Sequence, residues 1–186
     1  MTTRRSWLRV APAVALGLLA PVARAAEPPA EVRAALPEPR LQGTMRFRWL
    51  GLSIYDARLW RPGAAAPLSA EDYAGRDFAL ELIYARRLSG EGIADRSIEE
   101  MRRLDRFDEA RAEAWRAAMR AAFPDVQSGE RLVGVNRAGR GARFLHQGRP
   151  TGEVAEIEFA RLFFGIWLSP RGPEPQLRAA LLGTGG

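Results

Sequence analysis

The sequence predicts an α+β domain, with helices packed on one face of an antiparallel sheet. Three observations predict it. The stretch Asp77–Leu88 alternates its side chains at period two. The stretch Glu156–Leu168 is strongly apolar and suits a helix, with Phe159, Leu162, Phe163, Ile166 and Trp167 along it. The element order is strands, then helices, then strands, then helices, without an internal repeat.

The chain opens on a segment that reads as a cleavable signal peptide. Arg4, Arg5 and Arg9 form a basic start, an apolar run follows to Ala23, and Ala23-Arg24-Ala25 offers small residues for cleavage. That run is shorter than the roughly 20 apolar residues a spanning helix needs. No stable membrane span is therefore expected after cleavage, and a periplasmic or secreted location is. Thr3-Arg4-Arg5-Ser6-Trp7-Leu8-Arg9 also looks like a twin-arginine motif. Both that route and general secretion remain open.

Residues 26–40 hold Pro28, Pro29, Pro37 and Pro39 and are expected to be an extended lead-in, with room for a turn of helix at Glu31–Leu36. The domain proper is then residues 41–186. Leu41–Trp60 reads as two strands. Met45, Phe47 and Trp49 alternate with Thr44, Arg46 and Arg48, and Gly51 marks the turn. In Asp77–Leu88, the residues Phe78, Leu80, Leu82, Tyr84 and Arg86 share one face. Gly92–Asp105 reads as a helix. A second fits Phe107–Phe123, capped by Asp108 and closed by Pro124. Arg131–Asn136, Ala142–His146 and Thr151–Ala155 are short strands linked by tight turns. The apolar helix follows, and a last short one, Gln176–Leu182, stops at Gly183.

Composition excludes several chemistries. The chain has no cysteine and one histidine, His146, which removes thiolate catalysis and Cys-ligated metal. The acids are scattered and read as solvated helix faces, so no metal and no cofactor is expected. The formal charge of +6 belongs largely to the first 25 residues, which hold four arginines and no acid. In the rest, acids and arginines interleave, which does not make the clustered basic face a nucleic-acid binder needs.

Two polar patterns stand out. Arg46 and Arg86 sit in strands whose other residues are largely apolar, and an arginine aimed at a pocket can clamp a carboxylate with two parallel hydrogen bonds. A structural ion pair is the alternative for each. Tyr55 and Tyr84 lie in the same strands, and a buried hydroxyl needs a partner from protein or ligand.

Gly43-Thr-Met-Arg46 followed by Ile54-Tyr55-Asp-Ala-Arg-Leu59-Trp60 resembles the opening strands of the bacterial chalcone isomerase-like proteins. Phe163-Phe-Gly-Ile-Trp-Leu168 and Leu177–Gly183 resemble that family's closing signature. The resemblance spans about residues 40–183. It implies an open-faced β-sandwich with a ligand cleft between sheet and helices. It also casts Arg46 as the arginine that holds substrate in the plant isomerases. The other polar groups of those enzymes are not matched. Ile93 stands where a tyrosine is expected, Glu100 near an asparagine, and Phe163 or Phe164 at a late Thr or Ser, with Tyr55 a loose substitute for an early threonine. The resemblance thus implies no catalytic set. Its leading reading is a non-catalytic binder of a small hydrophobic or carboxylate ligand such as a fatty acid. Arg46, Tyr55, Tyr84, Arg86, Ile93 and Phe164 are its candidate contacts. An isomerase or lyase acting on a small phenolic or enone substrate, and an envelope protein binding an unknown partner, are the alternatives.

Overall fold

A computed structural model describes residues 26–185. The expected signal peptide, residues 1–25, lies outside them. Six strands form one antiparallel sheet in sequential order: β1 (Arg40–Trp49), β2 (Leu52–Arg61), β3 (Phe78–Tyr84), β4 (Arg131–Arg137), β5 (Gly141–His146) and β6 (Arg149–Val154). Each strand pairs with the next; tight turns join β1 to β2, β4 to β5 and β5 to β6, while residues 62–77 and 85–130 make the two longer connections. The hairpin β1–β2 turns on Leu50 and Gly51, both left-handed, at φ 48° and 79°.

One face of the sheet is covered by α2 (Gly90–Leu104), α3 (Glu109–Ala122), α4 (Ile157–Leu168) and α5 (Pro175–Leu182). Their ends follow the local chemistry. Ser89 and Asp108 accept from the N–H groups of Gly92 and Arg111 at the starts of α2 and α3. Gly183, at φ 70°, closes α5. The expected α+β architecture, with helices on one face of a large antiparallel sheet, is what the chain adopts. Among the described residues, no helix is long and apolar enough to cross a membrane.

Two local features matter for function. The lead-in uses the room it has for a turn of helix. Ala30–Ala35 forms a short helix, α1, and docks on the opposite face of the sheet. Val32 and Leu36 bury themselves there against Trp60, Ala79, Val133, Val135 and Leu145. Glu31 accepts from Arg131 Nε at 2.7 Å and fixes the contact. Prolines on both sides leave room for one or two turns, and apolar burial on the sheet selects the helix.

The third strand also stops early, at Tyr84 rather than Leu88. Tyr84 N–H donates to Glu130 O at 2.9 Å and Gly129 N–H to Tyr84 O at 2.7 Å, while Leu88 pairs separately with Val126. Ala85–Arg87 bend out of the sheet between these two anchorages. Arg86 therefore leaves the face it was expected to share with Tyr84.

Candidate functional site

The helix-covered face does not close completely. A cavity of about 630 Å³ opens between the sheet and helices α2, α4 and α5. Strands β1 to β5 supply its floor, among them Met45, Phe47, Leu80, Leu82, Leu132 and Phe144. Gly134 on β4 makes room for the ring above it, since a Cβ there would meet Phe164 Cε1 at 2.9 Å. The buried Leu80, Phe144 and Phe164 mark the closed end. Arg96 and Arg103, with side chains 53% and 55% exposed, mark the end open to water.

Tyr55 and Tyr84 face each other across β2 and β3, with ring centroids 6.0 Å apart. Trp167 Nε1 donates to the Tyr55 hydroxyl at 3.0 Å, leaving the Tyr55 O–H itself available to donate. Tyr84 is 97% buried, lines the cavity and has no hydrogen-bond partner for its hydroxyl among the described residues. Burial pushes both phenols far above the usual tyrosine range. They are hydrogen-bond donors at neutral pH, not phenolate bases.

The cavity's charges come from Arg96, Glu100 and Arg103 on α2 and from Glu174 just before α5. Glu100 is buried and pairs with Arg96 and with Arg103 Nη1. Arg96 is shared with Glu99 at 3.1 Å. Arg103 Nε and Nη2 have no protein partner among the described residues. Residues 96, 100 and 103 fall at three- and four-residue spacing, so one helix stripe brings them together.

Of the six candidate contacts, the structure brings four to this cavity: Tyr55, Tyr84, Ile93 and Phe164. Arg46 is not among its lining residues. The inward face of β1 carries Met45, Phe47 and Trp49, so period-two alternation turns Arg46 outward. There it lies directly opposite Asp56 and forms a two-point ion pair, Nε–Oδ1 2.5 Å and Nη2–Oδ2 2.8 Å. Arg86 is exposed beyond the end of β3 and does not line the cavity either.

Sequence reasoning missed Arg96 and Arg103 and treated the acids as solvated, whereas Glu100 is buried. The helical spacing was the available signal. A bulge hid another contact: Phe47 pairs with Tyr55 but Arg48 with Ser53, so Ile54 is an extra residue. Both Ile54 and Tyr55 consequently reach the cavity.

The sheet with its helical cover has a counterpart among known families. A model of chalcone isomerase-like proteins matches residues 41–183, most of the described domain. The chain belongs to the chalcone isomerase-like family. A solved structure with this fold is a fatty-acid binding protein of Arabidopsis thaliana. It aligns at a TM-score of 0.58 and 13% identity, over 77% of this chain and 86% of that one. At that identity the likeness establishes the shared fold. No curated protein sequence matches this chalcone isomerase-like chain.

Proposed function

We propose that this protein is an exported, non-catalytic carrier or binder of a hydrophobic carboxylate, with a fatty acid as the model ligand. The acyl chain occupies the apolar end of the cavity, and the carboxylate meets donors from Arg103 and the tyrosine pair. The observation that carries this reading is a large apolar cavity containing polar donors the fold leaves unpaired. The Tyr84 hydroxyl and the free guanidinium edge of Arg103 line the cavity without a protein acceptor among the described residues, so both are donors a polar head group would engage. The volume lies within the roughly 300–1,000 Å³ range of small-molecule sites.

The fatty-acid binding protein that shares the fold supports the ligand class. Against isomerase chemistry stand the apolar Ile93 and Phe164 in the cavity, together with phenols that burial keeps protonated. Export to the periplasm or the medium follows from the signal-like residues 1–25 and is tested by cell fractionation.

The binding test is calorimetric titration of delipidated protein with a long-chain fatty acid. Saturable one-to-one binding that weakens in Arg103→Ala is expected. No heat beyond dilution, or equal affinity in wild type and Arg103→Ala, would refute the carboxylate reading. Turnover of a chalcone or other enone by the same preparation would refute the non-catalytic one.

A further inference from the structure

The β1–β2 hairpin ends in a surface that folding alone does not explain. Trp49, Leu50 and Leu52 are 57%, 86% and 55% exposed. With Ile157 they are the exposed large hydrophobic residues among those described, so three of four fall in one turn. Single exposed apolar residues are ordinary, but a cluster calls for a partner. The turn is also unusual in its chemistry. Two left-handed residues in succession favour Asn-Gly, yet the first position here is the bulky Leu50, at φ 48°. A leucine in that conformation costs stability, and at 86% exposure little burial offsets the cost.

The hairpin sits at the cavity's entrance, because Trp49 both lines the cavity and faces solvent. The hairpin and the bend beside it carry basic side chains, while the acid Glu174 lines the cavity from the α5 side. Arg48 and Arg86 are exposed and have no ionic partner among the described residues. Arg86 is brought beside the hairpin because Ala85 N–H donates to Ile54 O at 2.9 Å. From Arg48 to Tyr55 the chain contains no acid.

We infer that the hairpin tip inserts into the surface of an anionic lipid bilayer and sets the cavity mouth against it. The inference builds on the proposed lipid-binding function. Trp49 is suited to the polar–apolar boundary, Leu50 and Leu52 to the acyl region just below it, and Arg48 and Arg86 to anionic head groups. A hydrocarbon chain then passes between bilayer and cavity along Trp49, with little exposure to water. A protein partner or a second copy would satisfy the apolar tip equally well. The unpaired arginines and the continuity with an apolar cavity favour the bilayer.

The described residues 26–185 form the six-stranded sheet, α1 to α5 and both hydrophobic clusters, and the chain from Ala26, the form expected after signal cleavage, is the one to test. It is sedimented with phosphatidylcholine vesicles prepared with and without phosphatidylglycerol, and its tryptophan emission is followed with brominated acyl chains as quenchers. Binding that increases with phosphatidylglycerol, together with quenching, is expected. The double variant Leu50→Glu/Leu52→Glu should lose at least about tenfold in vesicle affinity. Arg48→Glu should reduce the preference for the anionic vesicles. Neither Leu50 nor Leu52 lines the cavity, so fatty-acid affinity in solution should be unchanged in the double variant. Vesicle binding that is absent in wild type or equal in the double variant, with fatty-acid binding intact, overturns the docking inference alone. A lipid-free dimer that the double variant abolishes also overturns it, by assigning the tip to a second copy. Absence of fatty-acid binding by the wild type overturns the earlier reading instead.

Discussion

The two faces of the sheet bury polar groups in opposite ways. On the outer face, α1 completes a small apolar cluster around Trp60, and the charges beside it are paired. Trp60 Nε1 donates to the buried Glu81 at 2.8 Å, and Arg131 reaches Glu31 at 2.7 Å and Glu81 at 3.8 Å. On the helical face a much larger apolar cluster surrounds a cavity. There the Tyr84 hydroxyl is unpaired and Arg103 keeps free donors. The pairing of Trp60, Glu81, Glu31 and Arg131 serves stability on the first side, and the donors that face the cavity without a protein acceptor among the described residues serve recognition on the second.

The largest expected effect breaks the outer face. Trp60→Ala removes a fully buried indole and leaves Glu81 without its donor, at a cost of about 3–5 kcal/mol in urea unfolding. Ligand affinity of the folded fraction should be unchanged. A matching loss of affinity would mean that the two faces are not separable.

Next in size is the contrast between two arginines. Arg103→Ala should cost about 1.5–3 kcal/mol of binding to a fatty acid, the value of a charge-assisted hydrogen bond. Arg46→Ala, on the outward side of β1, should leave the titration curve unaltered. Reversal of that order would place the head group on the strand rather than on α2.

Filling the cavity should be comparable. Ile93→Trp places a larger side chain in the first turns of α2, where Ile93 already lines the cavity. Crowding of the acyl chain should weaken binding by about 1–3 kcal/mol, with thermal stability preserved because the new ring enters a void.

A smaller effect appears in alkali. Burial raises the folded-state ionisation of Tyr84 above the unfolded value of about 10. The native state therefore holds its proton longer than the unfolded state, and this contribution to stability is present below about pH 10 and lost as pH rises beyond it. Tyr84→Phe should flatten the fall in melting temperature between neutral and alkaline pH. An unchanged slope would show that the phenol is not held in an apolar site.

The smallest effect belongs to the exposed pair on β1 and β2. Arg46 holds the Asp56 carboxyl below its usual range. The sign is opposite to that of tyrosine: the pair stabilises above the ordinary carboxylate range and its contribution disappears as pH falls through the lowered value. Asp56→Asn should show a slightly shallower acid limb of the stability curve and little change at neutral pH, since solvent screens the pair.

Much of the scaffold is local and was legible. Period-two alternation located Phe78, Leu80, Leu82 and Tyr84 on one face. The caps Asp108 and Gly183 bounded their helices, and Gly51 marked the first hairpin. Tyr55, Tyr84, Ile93 and Phe164 emerged from pattern and family resemblance, and all four line the cavity. These features depend on neighbours a few residues away, which is the range that sequence periodicity reads.

The rest depends on distant contacts. Arg46 is oriented by strand alternation yet was read as a clamp, because alternation does not say which face holds the ligand. Arg86 does not share the cavity face because the chain bends after Tyr84, between the pairing with residues 129 and 130 and that of Leu88 with Val126. Glu100 and Arg103 reached the cavity because α2 packs over the sheet with that particular stripe inward. The sequence by itself determined the elements, their order and the apolar character of the interior. Only the tertiary structure decided which side of the sheet is sealed, which is hollow, and which cations face the hollow, because burial is a property of surfaces that meet from far apart along the chain.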